Sequence, residues 1–458
     1  MARDGKASAG GPRSRDAILG GPLLSTLVGL AWPMLAATLL GQLVDFVSMF
    51  WAGRLIGTGA IALVSLLSPL FTALLHLVSA IPVGVQVLVA RSVGKGDGES
   101  PAIIMNGLYL VLAVTLTVTV VGLAGLGPIS AALAGDLHLA GDLERYLVPW
   151  CLFYPVPGLA MVVSYGVAAG GWTRFGLLQT AMNLALGAML MPLFIAACGL
   201  GLAGMAVADG VADTVLLIFT WAALRRYRDD LLGLGEWRRE AYRVAGRLWR
   251  RIVAVGLPPQ LVRSIDFAAQ VVFIRIVVGD GETAVAGYGV AMMLFLFPGS
   301  VTLALASAAG IMIGHNAGGA RPERARAALR LAILAGVATA GAVVLLSLFL
   351  TRPLVSLVTD DPAVLAQAVV ILELLRFALP PLAVMQCLLR AYTAVGKNKL
   401  ASALSSGVTA ASMAIAYLHP GTGVESVVTA LLFSTYAKAA LLALIHRGSF
   451  RSQLTVAS

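Results

Sequence analysis

Apolar residues along this chain are grouped into long runs that short polar segments separate. Most runs reach or exceed the roughly 17–25 residues that an α-helix needs to cross a bilayer. The period-two alternation of membrane β-barrel strands is not seen in the sequence. The pattern therefore predicts an all-α membrane protein with twelve transmembrane helices. Their expected ranges are 24–53, 58–90, 103–127, 142–169, 174–197, 202–225, 252–278, 284–315, 325–350, 363–394, 398–418 and 424–446.

Composition excludes an ordinary soluble protein. Hydrophobic residues make up 59% of the 458 residues, charged residues only 12%, and the mean hydropathy is +0.91. Soluble domains carry about twice that charged fraction. The net charge of +10 lies in the loops between apolar runs, which argues against a nucleic-acid partner and for a lipid bilayer. Three cysteines lie in apolar segments without metal-ligand or disulfide spacing, so we expect them to be buried.

Lys and Arg are concentrated in alternate loops, and this asymmetry predicts the orientation. If the chain crosses the membrane twelve times, the basic loops and both termini lie on the cytoplasmic side of the cell's inner membrane. The expected organisation is a disordered cytoplasmic tail (1–23), a first lobe (24–227), a basic linker helix on the inner leaflet (228–251), a second lobe (252–446) and a second cytoplasmic tail (447–458).

The two halves of the chain repeat one another. The segment "VLVARSVGKGD" (87–97) resembles "IMIGHNAGGAR" (311–321), and "GGWTRF" (170–175) resembles "VGKNKL" (395–400) at nearly the same offset. Pro155 and Pro380 keep that offset as well. Because each half contains six predicted helices, the two six-helix lobes face the same way as a parallel internal repeat. Transporters use repeats of this kind to place a substrate cavity between lobes.

Three carboxylates lie inside predicted helices without a basic residue one helical turn away. Asp45 is eight residues from the outer end of the first helix, and Asp209 is seven residues from the outer end of the sixth. Both therefore lie about 11–12 Å from the same side, and Asp213 is one turn deeper. A charge at the centre of a membrane helix costs roughly 3 kcal/mol and is usually functional. We expect these acids to form a cation or proton site, although a structural hydrogen-bond acceptor at Asp45 stays open.

The second lobe contains a further charged site. Asp266 and Arg263 on the seventh predicted helix are three residues apart, so they share a helix face. Arg263, or another base of that lobe, is expected to hold Asp266 ionised. Lys438 on the last helix is expected to snorkel or to pair with another helix.

The order of several segments resembles the multidrug and toxic compound extrusion (MATE) transporters. They are "WPMLAATLLGQLVDFVSMFWAGRLIG", "LVARSVGKGD", "GLGLAGMAVAD", "GLPPQLVRSIDF" and "MIGHNAGGARPERA", and the likeness extends from about residue 24 to 446. The resemblance implies two six-helix lobes, a central V-shaped cavity, and export of organic cations and other amphiphiles driven by protons or sodium.

Residue by residue, Asp45 matches the acid that the family carries on helix 1. Asp266 stands where sodium-coupled members carry a glutamate. Many members carry an Asn-x-x-x-Asp-Pro pattern on helix 5, where this chain has Gly187 and Met191 before Pro192, and we expect Asp209 to replace the missing acid. Further candidates for lining the cavity are Gln42, Met49 and Gln270.

These observations predict a secondary antiporter, not an enzyme, that exports amphiphilic and often cationic organic compounds in exchange for protons. No cofactor, metal or catalytic residue is expected, and the protein is expected to be a monomer. Sodium coupling is the less favoured alternative, because Arg263 lies beside Asp266. A flippase of the same superfamily for a lipid-linked precursor is the other alternative. An intramembrane enzyme would need a motif such as H-E-x-x-H or G-x-S-x-G, and the sequence contains neither.

Overall fold

The structure, a computed structural model, describes residues 15–56, 58–128, 130, 140–226, 239–419, 421 and 423–455. These residues form helices and connecting turns, with no strand among them. The helices are α1 (Arg15–Gly20), α2 (Leu23–Leu55), α3 (Thr58–Lys95), α4 (Ser100–Ala124), α5 (Ala140–Phe153), α6 (Pro155–Ala169), α7 (Thr173–Pro192), α8 (Gly201–Arg226), α9 (Gly246–Val278), α10 (Glu282–Gly318), α11 (Pro322–Ser356), α12 (Pro362–Leu375), α13 (Leu379–Ala394), α14 (Lys399–Leu418) and α15 (Gly423–Thr455).

The prediction of an all-α membrane protein is confirmed. Within the described ranges, ten helical segments are long and apolar enough to cross a membrane, with α12 and α13 counted as one, and α5 with α6, which meet at a bend of 40°, would make an eleventh span. The seventh predicted span is the helix α9, which is not among these segments. Its polar side chains explain this, because Arg263, Asp266 and Arg275 interrupt its apolar sequence.

The internal repeat extends to details of the backbone. α6 ends at Ala169 and α13 ends at Ala394, at the offset that the sequence repeat has. The glycines two residues beyond these ends, Gly171 and Gly396, both have a positive φ, of 99° and 64°. A left-handed residue at this point ends a helix, and glycine adopts it without a steric cost. The two halves therefore use the same turn at equivalent places.

Contacts between Cα atoms divide the chain into two compact units. Unit 1 contains Ala36–Leu257 together with the chain before Leu19, and unit 2 contains Leu19–Leu35 and the chain from Pro258 onwards. The first part of α2 thus packs with unit 2, and the first part of α9 packs with unit 1. The predicted lobe boundaries at 24–227 and 252–446 stay predictions.

Each unit fixes the segment that leads into one of these two helices. In unit 1, Asn106 on α4 donates to the carbonyl of Arg243 at 3.1 Å and accepts from the amide of Ala245 at 2.8 Å. In unit 2, Arg321 donates to the carbonyl of Leu19 at 2.8 Å, and Arg324 donates to the carbonyl of Gly21. The start of α9 and the start of α2 are therefore held by side-chain contacts with backbone atoms.

The ends of the chain differ in part from the expectation. A short helix, α1, forms within the expected N-terminal tail, and α15 continues to Thr455, beyond the expected end of the last helix at residue 446. Positions 1–14, 227–238 and 456–458, which include half of the predicted linker helix, lie outside the described residues. Cys151 and Cys387 are buried as predicted, but the prediction for Cys198 is wrong. It is exposed because it follows directly on the end of the helical segment Leu193–Ala197.

Candidate functional site

Two of the predicted carboxylates lie on one face of α8, in unit 1. Asp209 is exposed, and Asp213, one helical turn later, is half-buried. Gly210 allows α5 to pack closely here, because a Cβ atom at this position would lie 2.1 Å from the ring of Phe153. This close approach brings α5 beside the acidic face of α8. The Tyr146 side chain of α5, which is buried, is near enough to interact electrostatically with Asp209.

Asp45 belongs to the same unit, and its place along α2 is given by the backbone. Asp45 and Met49 lie on α2, and their side chains are outside the described part of the structure. Ala52, two turns after Asp45, is in the buried cluster that also contains Tyr146 and Ala206. Six consecutive spans alternate in direction, so α2 and α8 run oppositely.

Spacing along the two helices places the acids relative to this buried cluster. Asp45 lies about 10 Å along α2 from Ala52, and Asp213 lies about 10 Å along α8 from Ala206. Gln42, the third predicted polar residue of α2, is half-buried. The matched depth of Asp45 and Asp209 stays a prediction.

The same unit contains an aromatic pocket that the sequence did not predict. Its volume is about 340 Å³, within the range of small-molecule sites. The rings of Phe71 and Trp150 are stacked with centroids 4.2 Å apart, and Tyr154 lies 4.7 Å from Trp150. The pocket is lined by Phe71, Thr72, Leu75, Val78, Trp150, Tyr154, Pro157, Gly158 and Met161. It lies at the bend between α5 and α6.

Tyr146 connects the pocket with the acidic face. Its ring centroid is 6.1 Å from that of Phe71, and its side chain interacts electrostatically with Asp209. Tyr146 is therefore near the aromatic pocket and also within electrostatic range of a carboxylate. The four-residue spacing of Tyr146, Trp150 and Tyr154 could have indicated an aromatic face along α5, whereas Phe71 comes from a separate helix.

The predicted charged site of unit 2 has a different composition from the expected one. Asp266 on α9 accepts a hydrogen bond from Lys438 on α15 at 2.7 Å and another from Thr409 on α14 at 2.6 Å. Lys438 is buried, with 6% of its side chain exposed, whereas the Asp266 side chain is 39% exposed. The base that holds Asp266 is thus an interhelical lysine of the same unit.

The predicted ion pair between Arg263 and Asp266 is wrong. Arg263 is exposed and forms no ion pair or hydrogen bond within the described part of the chain. The physical reason is that Lys438 approaches Asp266 from a facing helix and already occupies one carboxylate oxygen. Gln270, one turn beyond Asp266, is exposed as well. Arg263, Asp266 and Gln270 therefore form a polar face on α9.

The arrangement is suited to binding and ion exchange. Among the described residues, no group of three or more His, Cys, Asp or Glu side chains is placed to hold a metal ion. Unit 1 offers carboxylates next to aromatic rings, and unit 2 offers an ion pair with an additional arginine.

Comparison with known proteins gives consistent results. The MatE family profile matches residues 33–208 and 261–418. A FAD transporter of Shewanella oneidensis is 23% identical over 364 residues, which cover 77% of this chain and 78% of that protein. Multidrug export protein MepA of Staphylococcus aureus is 22% identical over 357 residues, 77% of each chain. A crystal structure of MATE in complex with MaL6 superposes with a TM-score of 0.88 at 20% identity and covers 96% of this chain and 99% of that one.

Proposed function

The chain belongs to the MATE family of membrane transporters, and from this premise we propose that it exports amphiphilic, often cationic, organic compounds across the cytoplasmic membrane in exchange for protons. The observation that carries the proposal is the position of Tyr146 in unit 1, near Phe71 of the aromatic pocket and within electrostatic range of Asp209. The predicted likeness to this family, made from the sequence segments, is confirmed.

The pocket accounts for the class of substrate. Stacked aromatic side chains favour flat, hydrophobic molecules, and a cation near an aromatic face gains about 0.5–2 kcal/mol. The carboxylate of Asp209 adds a charge of the opposite sign for a cationic group. A compound that is both aromatic and positively charged therefore satisfies both parts of the site.

The acids of unit 1 account for the coupling. A carboxylate within a membrane helix can be neutralised by a proton or by a cationic substrate, and the two compete. Loading a proton from outside releases the substrate, and losing the proton inside prepares the site for another molecule. The two conformations must differ in proton affinity, since a ligand shifts an equilibrium only by differential binding.

The geometry of unit 2 favours protons over sodium. Asp266 is the acid that matches the sodium-coupled members, and its carboxylate already accepts from Lys438 and Thr409. An ammonium group beside a carboxylate supplies the positive charge that a sodium ion would bring. Sodium would have to displace this tethered cation, which leaves the acids of unit 1 as the better coupling residues.

Dye-transport assays with proteoliposomes that contain the purified protein test the proposal. Cationic aromatic dyes should be expelled when a pH gradient is imposed, and a sodium gradient of the same size should give no transport. Trp150→Ala should lower the rate at least tenfold, because the pocket loses a stacked ring. Phe349→Ala is the matched control, since this phenylalanine is 78% exposed on α11. Transport driven by sodium alone would contradict proton coupling, and unchanged export by Trp150→Ala would exclude the pocket.

A further inference from the structure

Arg263 is a cation in the middle of α9 for which the described residues provide no counter-ion. It lies about 17 Å along α9 from Ile252 and about 22 Å from Val278, the limits of the seventh predicted span. Its guanidinium forms no ion pair or hydrogen bond within the described part of the chain. Lys and Arg near helix ends reach the lipid head groups by snorkelling, but a residue this far from both ends does not.

The neighbouring acid does not neutralise this charge. Asp266 is one turn away, and its carboxylate is bonded to Lys438 at 2.7 Å and to Thr409 at 2.6 Å. Arg263 and Lys438 together with Asp266 therefore carry a net charge of +1 on this part of unit 2. An unpaired charge at this depth costs roughly 3 kcal/mol unless it faces water or meets an anion. Its exposure, together with that of Gln270, indicates that this face of α9 is open to a ligand.

We propose that Arg263 is a specificity-determining residue that binds the carboxylate, or a similar planar oxyanion, of an exported amphiphile. The guanidinium presents two parallel N–H donors that match the two oxygens of a carboxylate. Gln270, two turns along the same face, offers an additional amide donor. The inference rests on the proposed export function and extends it from purely cationic compounds to amphiphiles that also carry an anionic group.

A matched pair of dyes isolates the contribution of the carboxylate. A rhodamine with a free carboxylate and its methyl ester share the same aromatic cation and differ only in the anionic group. Wild-type protein in proteoliposomes should export both dyes under a pH gradient. Arg263→Gln should lower export of the free acid about tenfold and change export of the ester by less than about twofold, the loss expected for one charge-assisted hydrogen-bonded pair.

Two control variants complete the experiment. Arg275→Gln removes an exposed arginine from the end of the same helix and should leave both dyes unaffected. Arg263→Lys keeps the charge but not the planar fork, so it should give an intermediate loss for the free acid alone. If Arg263→Gln exports neither dye, then Arg263→Lys must still export the ester. Failure of both variants on the ester would assign Arg263 a structural role and overturn the proposal.

The outcomes separate this inference from the export function. An equal but partial effect of Arg263→Gln on both dyes, or no effect on either, would overturn the carboxylate site while export itself stands. If Arg263 bound only an inorganic anion, the two dyes would likewise be affected equally, and the carboxylate site would be overturned. Failure of the wild-type protein to export either dye would contradict the proposed function and the inference with it.

Discussion

Lys438 and Asp266 form an ion pair between α15 and α9, with Nζ and Oδ1 2.7 Å apart. The two partners are unequally buried, because the lysine side chain is 6% exposed and the aspartate side chain is 39% exposed. Removing the aspartate leaves a buried ammonium group without its counter-ion, whereas removing the lysine leaves a carboxylate that water can reach. The pair therefore stabilises unit 2 mainly by compensating Lys438.

A double-mutant cycle tests this asymmetry. Asp266→Asn should lower the free energy of unfolding by about 3 kcal/mol, Lys438→Met by less, and the double variant should recover most of the loss. Thermal unfolding in detergent measures the effect. Arg263→Ala is the control, and it should change stability little because Arg263 is not the partner. Additive losses in the cycle would contradict the pairing, and a large loss in Arg263→Ala would point back to the pair expected from the sequence.

Asn106 should be a main anchor of the segment before α9. It is fully buried and bonds to three backbone groups, those of Ala102, Arg243 and Ala245. Asn106→Ala removes these bonds and leaves buried backbone groups unpaired, so we expect a loss of about 2–3 kcal/mol in thermal unfolding. Thr117→Ala on the same helix is the matched control, because Thr117 bonds only within its own helix, to the carbonyl of Ala113. Similar small effects of both substitutions would exclude an anchoring role.

Two glycines allow α3 and the first part of α9 to touch backbone to backbone in unit 1. A Cβ atom at Gly84 would lie 2.2 Å from the carbonyl oxygen of Ile252, and one at Gly256 would lie 1.8 Å from that of Ala80. Gly84→Ala and Gly256→Ala should each lower the melting temperature strongly, since backbone atoms cannot move aside.

The matched control for these glycines is Gly289→Ala on α10. A Cβ atom there meets nothing within 4 Å, and alanine has the better helix propensity, so stability should stay constant or rise by up to about 1 kcal/mol. If all three substitutions behave alike, the close helix contact is not what the glycines provide.

The native Cys198 gives a direct test of membrane orientation. It is exposed after the end of α7, on the side that the distribution of Lys and Arg predicts to be outside. A membrane-impermeant maleimide should label it in intact cells and should not label Cys198→Ser. In that background, Lys95→Cys, at an exposed position at the end of α3, should be labelled only after the cells are opened. The opposite pattern would reverse the predicted orientation.

Local features of the sequence predicted much of the fold. Helix positions follow from continuous apolar runs, and the repeat follows from short segments such as those around Gly171 and Gly396. The bend between α5 and α6 agrees with the proline at position 155. These properties depend on neighbouring residues, so one sequence is enough to find them.

The site was predicted less completely because its contacts are distant in sequence. Lys438 is 172 residues from Asp266, so the spacing of charges along one helix indicated only Arg263 as a partner. The aromatic pocket combines Phe71 with Trp150, and single aromatic residues in apolar helices usually belong to the core. Tyr146 is likewise unremarkable in sequence and becomes informative only beside Asp209. The acids of α8 were found because a carboxylate in an apolar run is rare.

Export of a cationic dye by Asp45→Asn under an imposed pH gradient is the most direct test of proton coupling through the acids of unit 1. Asparagine imitates a protonated carboxyl group in shape but cannot exchange a proton. We predict that Asp45→Asn, and likewise Asp209→Asn, inserts and unfolds normally while gradient-driven export falls at least tenfold. Asp360→Asn, at an exposed position between α11 and α12, should export at the wild-type rate. Wild-type export by Asp45→Asn under the same gradient would contradict the coupling role of this residue and the mechanism built on it.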